Sequence, residues 1–236
     1  MRSVYIPTNS GELHCCVMGE GAPLLLLHGN GESSSIFQYH MAFFSQYYTV
    51  IALDTRGHGY SDRGTTKLNF EQFAQDVRLV LDYLHIERTN IIGFSDGGNT
   101  ALLFAEYYPK RVHALIVVGA NIKAEGMKSW ELQKVKWMFN FLQYIEMIYP
   151  TIQLKKEIVD LMFHQINNTL FDLKNIQAPT LIMAGENDVI KQSHTELIAR
   201  QINDHQLRIM PKADHFFMLK QPDIFNSVAL SFLKKY

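Results

Sequence analysis

Short apolar runs alternate with amphipathic windows along most of the chain. Each run is rich in Leu, Ile and Val and lies next to turn-forming residues, which is the pattern of a buried β-strand. Near-continuous apolar strands are typical of a parallel sheet that is covered on both faces. The pattern predicts strands at residues 4–6, 13–18, 24–27, 48–53, 90–94, 114–119, 180–184 and 206–210.

The first two strands differ from the others because only a short turn, Thr8-Asn9-Ser10-Gly11, separates them. This predicts an antiparallel hairpin. Amphipathic helical windows follow the later strands. One begins after the N-cap residue Asn69, a second ends before Pro109, and the last begins at Pro222. Alternation of strands and helices predicts a doubly wound, mostly parallel α/β sheet, with any binding site beyond the carboxyl ends of its strands.

One segment breaks this alternation. Residues 121–174 contain no convincing strand, and their helical windows fall at 131–144 and 155–163. We therefore expect a small helical cap inserted after the sixth strand. The sheet domain would then comprise residues 1–120 and 175–236.

Charge and composition narrow the classes of function. The 22 Lys and Arg residues and 23 Asp and Glu residues give a net charge of -1, so no basic surplus supports nucleic-acid binding. Cys15 and Cys16 are adjacent, a poor arrangement for a disulfide bond. The first nine residues have no apolar signal segment, and no apolar run approaches the roughly 20 residues that span a bilayer. We expect no membrane span and a cytoplasmic location.

The motif Gly93-Phe94-Ser95-Asp96-Gly97 is the strongest chemical signal in the sequence. G-x-S-x-G between a strand and a helix is the pattern of a nucleophile elbow, a strained turn that exposes a serine. The flanking positions need glycine because larger side chains would collide across the turn. No lysine follows the glycines as in a phosphate-binding loop. Ser95 is therefore the candidate nucleophile.

A serine hydroxyl requires a general base, and the base requires a carboxylate that orients it. His215 follows the last predicted strand, and Asp188 follows the strand at 180–184. The chain order Ser95, Asp188, His215 matches nucleophile, acid and base on a sheet of this kind. Glu186 lies in the same loop as Asp188 and is a near alternative for the acid.

A glycine-containing turn, His28-Gly29-Asn30-Gly31, follows the third predicted strand. Stabilising an oxyanion requires two backbone amides that point at one position. We expect these amides to come from Asn30 and from Asp96, which directly follows the candidate nucleophile. No H-E-x-x-H or C-x-x-C spacing occurs, so we expect neither a metal nor an organic cofactor.

Together these motifs resemble the α/β-hydrolase fold superfamily over nearly the whole chain. The elbow with its Asp-Gly-Gly sequence is similar to that of valacyclovir-hydrolase-like esterases. The resemblance implies that Ser95 is the nucleophile, Asp188 the acid and His215 the base. It also implies that residues 54–62 form a structural loop behind the oxyanion turn, and that the insertion is a lid over the substrate pocket.

Two departures from parts of this superfamily are informative. Haloalkane dehalogenases and epoxide hydrolases of this fold use an aspartate nucleophile, whereas this chain has Ser95. Some members carry the acid after the preceding strand, but residues 119–122 here contain no carboxylate. Both departures favour a serine hydrolase that uses Asp188.

The expected reaction is hydrolysis of a small or medium carboxylic ester through an acyl-enzyme. The same triad also suits hydrolysis of a lactone, an amide or a carbon–carbon bond, or perhydrolysis, because the fold hosts all of these. A ligand-binding or receptor-like protein is the alternative from another class. The expected partner is a small-molecule ester, and the sequence leaves the oligomeric state open.

Substrate contacts are expected from apolar residues of the cap and from the loop that carries the base. The candidates are Trp130, Trp137, Met138 and Phe216. Asp96 would favour a cationic substrate group if its carboxylate faces the pocket. The competing interpretation is that Asp96 caps the helix that follows the elbow.

Overall fold

A computed structural model describes residues 1–236. Its centre is an eight-stranded sheet in the order β1-β2-β4-β3-β5-β6-β7-β8. β1 pairs antiparallel with β2, and β2 pairs antiparallel with β4, whereas all other neighbours are parallel. The strands are β1 Arg2–Thr8, β2 Gly11–Met18, β3 Pro23–Leu27, β4 Thr49–Leu53, β5 Thr89–Phe94, β6 Val112–Val118, β7 Thr180–Gly185 and β8 His205–Met210.

Helices connect the strands and cover the sheet. Asn69 starts one of them as predicted, because its side chain accepts a hydrogen bond from the Gln72 N–H at 2.8 Å. None of the helices is both long and apolar enough to cross a bilayer. The helices are α1 Gln38–Phe44, α2 Phe70–Tyr83, α3 Asp96–Tyr107, α4 Ser129–Glu146, α5 Gln153–Asp160, α6 Ile166–Asn168, α7 Gln192–Gln201, α8 Phe217–Lys220 and α9 Pro222–Leu233.

The two faces of the sheet bury separate apolar layers. Alternate residues of β3 point to opposite faces, so Leu25 and Leu27 join one layer and Leu24 and Leu26 the other. The first layer packs against α2, α3 and α7, and the second against α1, α8 and α9. The predicted doubly wound, mostly parallel sheet is confirmed.

The longer elements of the segment between β6 and β7 are all helices. It contains α4, α5 and α6, and a π-helical turn at Leu161–Gln165 separates the last two. Shorter 3-10 turns occur at Ala124–Gly126, Pro150–Ile152 and Leu173–Asn175. The segment therefore contributes no strand to the sheet.

Candidate active site

Ser95 lies at the junction between β5 and α3, on a strained backbone. Its φ is 53° and its ψ is -118°, a conformation that non-glycine residues rarely adopt. The Ser95 N–H donates to the Val118 carbonyl at 2.8 Å, which ties the turn to β6. A Cβ on Gly97 would lie 2.1 Å from the Leu27 carbonyl oxygen. Only glycine therefore lets α3 approach β3 this closely.

His215 connects the serine to a carboxylate. Its Nε2 lies 3.1 Å from Ser95 Oγ, and its Nδ1 lies 2.7 Å from Asp188 Oδ1. Asp188 is held in turn by the Ile190 N–H, which donates to Oδ1 at 2.9 Å. Glu186, the alternative carboxylate, instead accepts from the Lys212 N–H at 2.7 Å. The structure thus brings together Ser95, His215 and Asp188 and turns Glu186 elsewhere.

Asn30 and Asp96 lie beside this serine. A Cβ placed on Gly29, next to Asn30, would be 3.1 Å from Ser95 Cβ, which shows how closely the turn approaches the elbow. Neither the Asn30 N–H nor the Asp96 N–H donates to a protein group. Both amides are therefore available to a ligand, as an oxyanion site requires.

A chain of side-chain amides surrounds the buried Asp96 carboxylate. Asn30 Nδ2 donates to Asp96 Oδ2 at 2.8 Å and to the Ile158 carbonyl at 2.6 Å. Asn99 Nδ2 donates to Asp96 Oδ1 at 3.2 Å, and Asn99 Oδ1 accepts from the Asn121 N–H at 2.8 Å. The network reaches the segment between β6 and β7 at Asn121 and again in α5. We call it the Asp96 network.

Burial changes the protonation of this carboxylate. Removal from water raises the pKa of Asp96 to about 6, although hydrogen bonds from Asn30 and Asn99 and the proximity of His215 oppose the rise. Both carboxylate oxygens already accept hydrogen bonds from asparagine side chains. The Asp96 carboxylate therefore belongs to a network of side chains and does not cap α3, which was the competing interpretation of the sequence.

The loop at residues 54–62 supports the glycine-containing turn at residues 28–31 from behind. Asp54 accepts hydrogen bonds from the Ser34 N–H at 2.6 Å and the Tyr60 N–H at 3.0 Å. His58 Nε2 accepts from the Gly31 N–H at 3.2 Å. His28 accepts from the Thr55 N–H, and burial lowers the pKa of His28 to about 4. Neutral imidazoles therefore hold the turn in place.

A cavity of about 450 Å³ opens above Ser95. Its floor is formed by residues that follow the strands, including Gly29, Asn30, Ser95, Asp96 and His215. The opposite wall comes from the segment between β6 and β7, through Met127, Glu131, Lys134, Val135 and Met162. The cavity is large enough for a small organic molecule.

The α/β-hydrolase fold family model matches residues 22–165, which is more than half of the chain. The chain belongs to this family. The superfamily resemblance expected from the motifs is thereby confirmed. Because the matched region includes β3, the elbow and much of the inserted segment, it covers most of the cavity described above.

Individual relatives of this α/β-hydrolase agree with the family. Serine hydrolase BPHL of Mus musculus is 29% identical and covers 98% of this chain and 86% of its own length. Est816, described as an N-acyl homoserine lactone degrading enzyme, is 25% identical, with a TM-score of 0.79 over 97% of this chain and 100% of its own. A mutant of the meta-cleavage product hydrolase CumD of Pseudomonas fluorescens IP01, complexed with acetates, shares the fold at 20% identity. Its TM-score is 0.80, covering 98% of this chain and 97% of its own.

Family membership and these relatives identify the protein as a hydrolase, which implies a small-molecule substrate.

Most of the substrate contacts expected from the sequence do not line the cavity. Phe216 lines the cavity, but Trp130, Trp137 and Met138 do not. These three side chains are 61%, 69% and 54% exposed on the outer side of α4. Helical periodicity turns the face with Glu131 and Val135 toward the cavity instead.

Three charged cavity residues were not anticipated from the sequence. Glu32 Oε2 accepts from the Gly29 N–H at 3.0 Å, and burial raises the pKa of Glu32. Glu131 and Lys134 line the opposite wall and form an ion pair at 2.7 Å. A signal for Glu32 existed, because it directly follows the glycine-containing turn. The orientation of α4 decides which of its residues face inward, and no motif marks that orientation.

Proposed function

We propose that this α/β-hydrolase is a serine hydrolase that cleaves a small or medium carboxylic ester through an acyl-enzyme. The observation that carries the proposal is the continuous hydrogen-bonded series from Ser95 through His215 to Asp188 at the floor of a cavity. The strained serine backbone supports it, because such strain persists where a function requires it.

In the first half of the reaction, Ser95 Oγ attacks the ester carbonyl carbon while His215 Nε2 takes its proton. The carbonyl oxygen becomes an oxyanion and accepts hydrogen bonds from the Asn30 and Asp96 amides. When the tetrahedral intermediate collapses, the bond to the leaving oxygen breaks. His215 gives its proton to that oxygen, and the alcohol departs.

In the second half, His215 removes a proton from water, and the resulting hydroxide attacks the acyl carbon. The bond to Ser95 Oγ breaks, and Oγ recovers a proton from His215. Asp188 accepts a hydrogen bond from Nδ1 throughout, which fixes the imidazole tautomer and stabilises its charged form. The products are a carboxylic acid and the free enzyme.

We assign residues 121–174 as a cap that selects the acyl group. Met127, Val135 and Met162 offer apolar contacts on the wall opposite Ser95. The cap is linked to the sheet domain by Asn30 and Ile158, by an Arg63–Glu157 ion pair at 2.5 Å and by a Lys67–Asp160 ion pair at 2.6 Å. Leu161, Ile166 and Leu173 also anchor the segment, because they are buried in the apolar layer beside α2 and α3. By contrast, α4 buries no residue, and we propose that this helix moves to admit substrate.

The Asp96 network weakens the hypothesis that Asp96 binds a cationic substrate group, since its oxygens are already occupied. Comparing amino-acyl with neutral acyl esters, in the wild type and in Asp96→Ala, tests this directly. We expect the ratio of the two kcat/KM values to be the same in both proteins. A lost amino-acyl preference in the variant would restore the cation hypothesis.

Lactone hydrolysis is the second candidate, because Est816 is described as a lactone-degrading enzyme and is 25% identical. A lactone is a cyclic ester, so each step above applies, with the leaving alcohol tethered to the acyl group. A matched panel of linear esters and acyl lactones distinguishes the two substrate classes through their kcat/KM values.

A fluorophosphonate probe, followed by intact mass measurement, tests the nucleophile. We expect one equivalent of label on the wild type and on Ser35→Ala, which alters an exposed serine near the oxyanion turn. Ser95→Ala should remain unlabelled at the same thermal stability. Absence of label on folded wild type, or label on Ser95→Ala, would contradict the assignment. Ligand-induced stabilisation without turnover would then favour the binding-protein alternative.

A further inference from the structure

The outer side of α4 is unusually apolar for a surface helix. None of its residues is buried, although the helix runs from Ser129 to Glu146. The large side chains that face outward are each more than half exposed. We call the following set, four residues of α4 and one from the turn that follows it, the outer stripe: Trp130, Trp137, Phe141, Tyr144 and Ile148.

The spacing of the outer stripe is that of a helix–helix seam. Its positions follow one another by seven, four, three and four residues. Lys134, at the edge of α4 between the cavity wall and the stripe, occupies the gap after Trp130. A repeat of four and three places the four α4 side chains along one line, as in two-helix packing, and Ile148 follows in the next turn. Lys134 Nζ lies 3.8 Å from the Trp130 ring centroid and pairs with Glu131. The stripe therefore contains no unpaired charge.

The exposed area also exceeds what a monomer normally presents. With Met138, Met147 and Tyr149 at its margins, the patch has eight large side chains and on the order of 1,000 Å² of accessible surface. The largest apolar patch of a typical monomer is about 300–600 Å². A stable protein interface buries about 800 Å² on each partner. The patch thus has the size of one half of a dimer interface.

We propose that the outer stripe is covered by the same stripe of a second copy of this chain. A twofold axis uses one patch on both partners, which suits a stripe whose middle residue is Phe141. The two α4 helices run antiparallel, because the positive N-terminal end of each helix dipole then lies beside the negative C-terminal end of the other, whereas a parallel pair would place like ends together. Trp137 of each copy then packs near Tyr144 of the other.

Solution mass tests whether the stripe is an interface. We expect wild type to be a dimer by light scattering and sedimentation equilibrium, and Phe141→Glu to be a folded monomer. Tyr39→Glu changes an exposed aromatic residue of α1 and should remain a dimer. A monomeric wild type at its highest soluble concentration would overturn the proposal, as would a Phe141→Glu variant that stays dimeric.

Cross-linking tests the antiparallel arrangement. Under mild oxidation, Phe141→Cys should form a disulfide-linked dimer, since residue 141 meets its own copy at the axis. Trp130→Cys should not, because an antiparallel pair separates the two copies of residue 130 by about 33 Å along the helix. Wild type controls for cross-links through Cys16. Equal cross-linking at 130 and 141 would contradict the arrangement.

A lipid surface is the other occupant that a stripe rich in Trp and Tyr suits. Co-sedimentation with phosphatidylcholine–phosphatidylglycerol vesicles distinguishes it. Binding by a monomeric wild type, lost in Phe141→Glu, would overturn the dimer. Because mass, cross-linking and vesicle binding do not involve turnover, their results stand apart from those of the fluorophosphonate experiment.

Discussion

The floor of the cavity and the helical segment above it are built in different ways. On the floor, the side chains of Asp96, Asp188 and His215 are buried, and each of these three side chains has a defined hydrogen-bond partner. Above it, α4 buries no residue, whereas the rest of the segment is anchored to the sheet domain by buried apolar residues such as Leu161 and Ile166 and by polar contacts. One cavity is thus enclosed by a tightly packed floor and, on the opposite side, by one lightly packed helix, α4.

This difference separates two tasks. Proton transfer requires donor and acceptor atoms to stay within hydrogen-bond distance, which dense packing around the strand ends provides. Acceptance of a substrate requires space that opens and closes, and lightly packed elements supply it at low cost. Substitutions on the floor should therefore change the chemical step, whereas those in the cap should change which substrate reacts.

The largest effect is expected on the floor, at Asp188. Asp188→Asn should lower kcat by about 10⁴-fold, because an amide no longer fixes the tautomer of His215. Asp214→Asn is the matched control, since Asp214 is partly exposed, lies next to His215 in sequence and pairs with Lys220. Steady-state hydrolysis of a p-nitrophenyl ester measures both. A decrease of less than tenfold in Asp188→Asn would show that Asp188 is not the acid.

The next largest effect is a change with pH in the free energy of unfolding, caused by Asp96. Folding raises the pKa of Asp96 from 3.8 to about 6, so between these values the folded chain holds the proton more tightly than the unfolded chain. The stability contributed by protonated Asp96 is therefore lost as the pH rises through 6. Relative to Asp96→Asn, wild type should lose up to about 3 kcal/mol between pH 4 and pH 7.5.

Urea unfolding of both proteins across this pH range measures the difference in their free energies of unfolding. The comparison between the two proteins removes the contribution of the other titrating groups. A difference that stays constant with pH, or one that changes in favour of wild type as the pH rises, would contradict the raised pKa.

A smaller effect is expected where the floor meets the cap, at Asn30. Asn30→Ala removes the hydrogen bonds from the Asn30 side chain to Asp96 and to Ile158. Because these bonds hold the turn that carries the Asn30 amide, and one of them goes to a charged group, kcat should fall about tenfold. Asn69→Ala is the control, because it removes the N-cap of α2 and should cost about 1 kcal/mol of stability with kcat unchanged. Equal kcat values in Asn30→Ala and wild type would show that the link from the Asn30 side chain to the cap does not affect the chemical step.

The smallest effects are expected within α4, where two neighbouring positions face opposite ways. Val135→Ala enlarges the cavity and should change kcat/KM for the longer acyl esters by about three- to tenfold, with less effect on acetate. Trp137→Ala alters the outer side and should change kcat/KM by less than twofold. A p-nitrophenyl ester series compares them. A greater response to Trp137→Ala would mean that the cavity wall has been misassigned.

The sequence was most informative for residues that are buried in a strand or that reverse the chain at the end of one. The predicted strand at 180–184 differs by one residue from β7, and the strand at 24–27 also differs by one residue from β3. Apolar runs and turn residues there express burial and chain reversal directly. The elbow was recognisable for the same reason, since Gly97 has a steric requirement that no other residue meets.

The sequence was less informative about which face of a helix lines the cavity. Trp130 and Trp137 have the composition of pocket residues, yet a rotation of α4 puts Val135 on the cavity wall instead. The short α1 and the polar α7 were not predicted, because tertiary packing stabilises them more than their own periodicity does. Helix rotation depends on distant neighbours, which a local pattern does not contain.

The candidate catalytic groups come from positions between Asn30 and His215, and they follow β3, β5, β7 and β8. Synthesis must therefore proceed past His215 before a working site exists. The base reaches Ser95 only after the C-terminal strand has joined the sheet. Recovery of ester cleavage after dilution from denaturant would accordingly record the completion of the last strand pairing, whereas the return of helical signal would record earlier events.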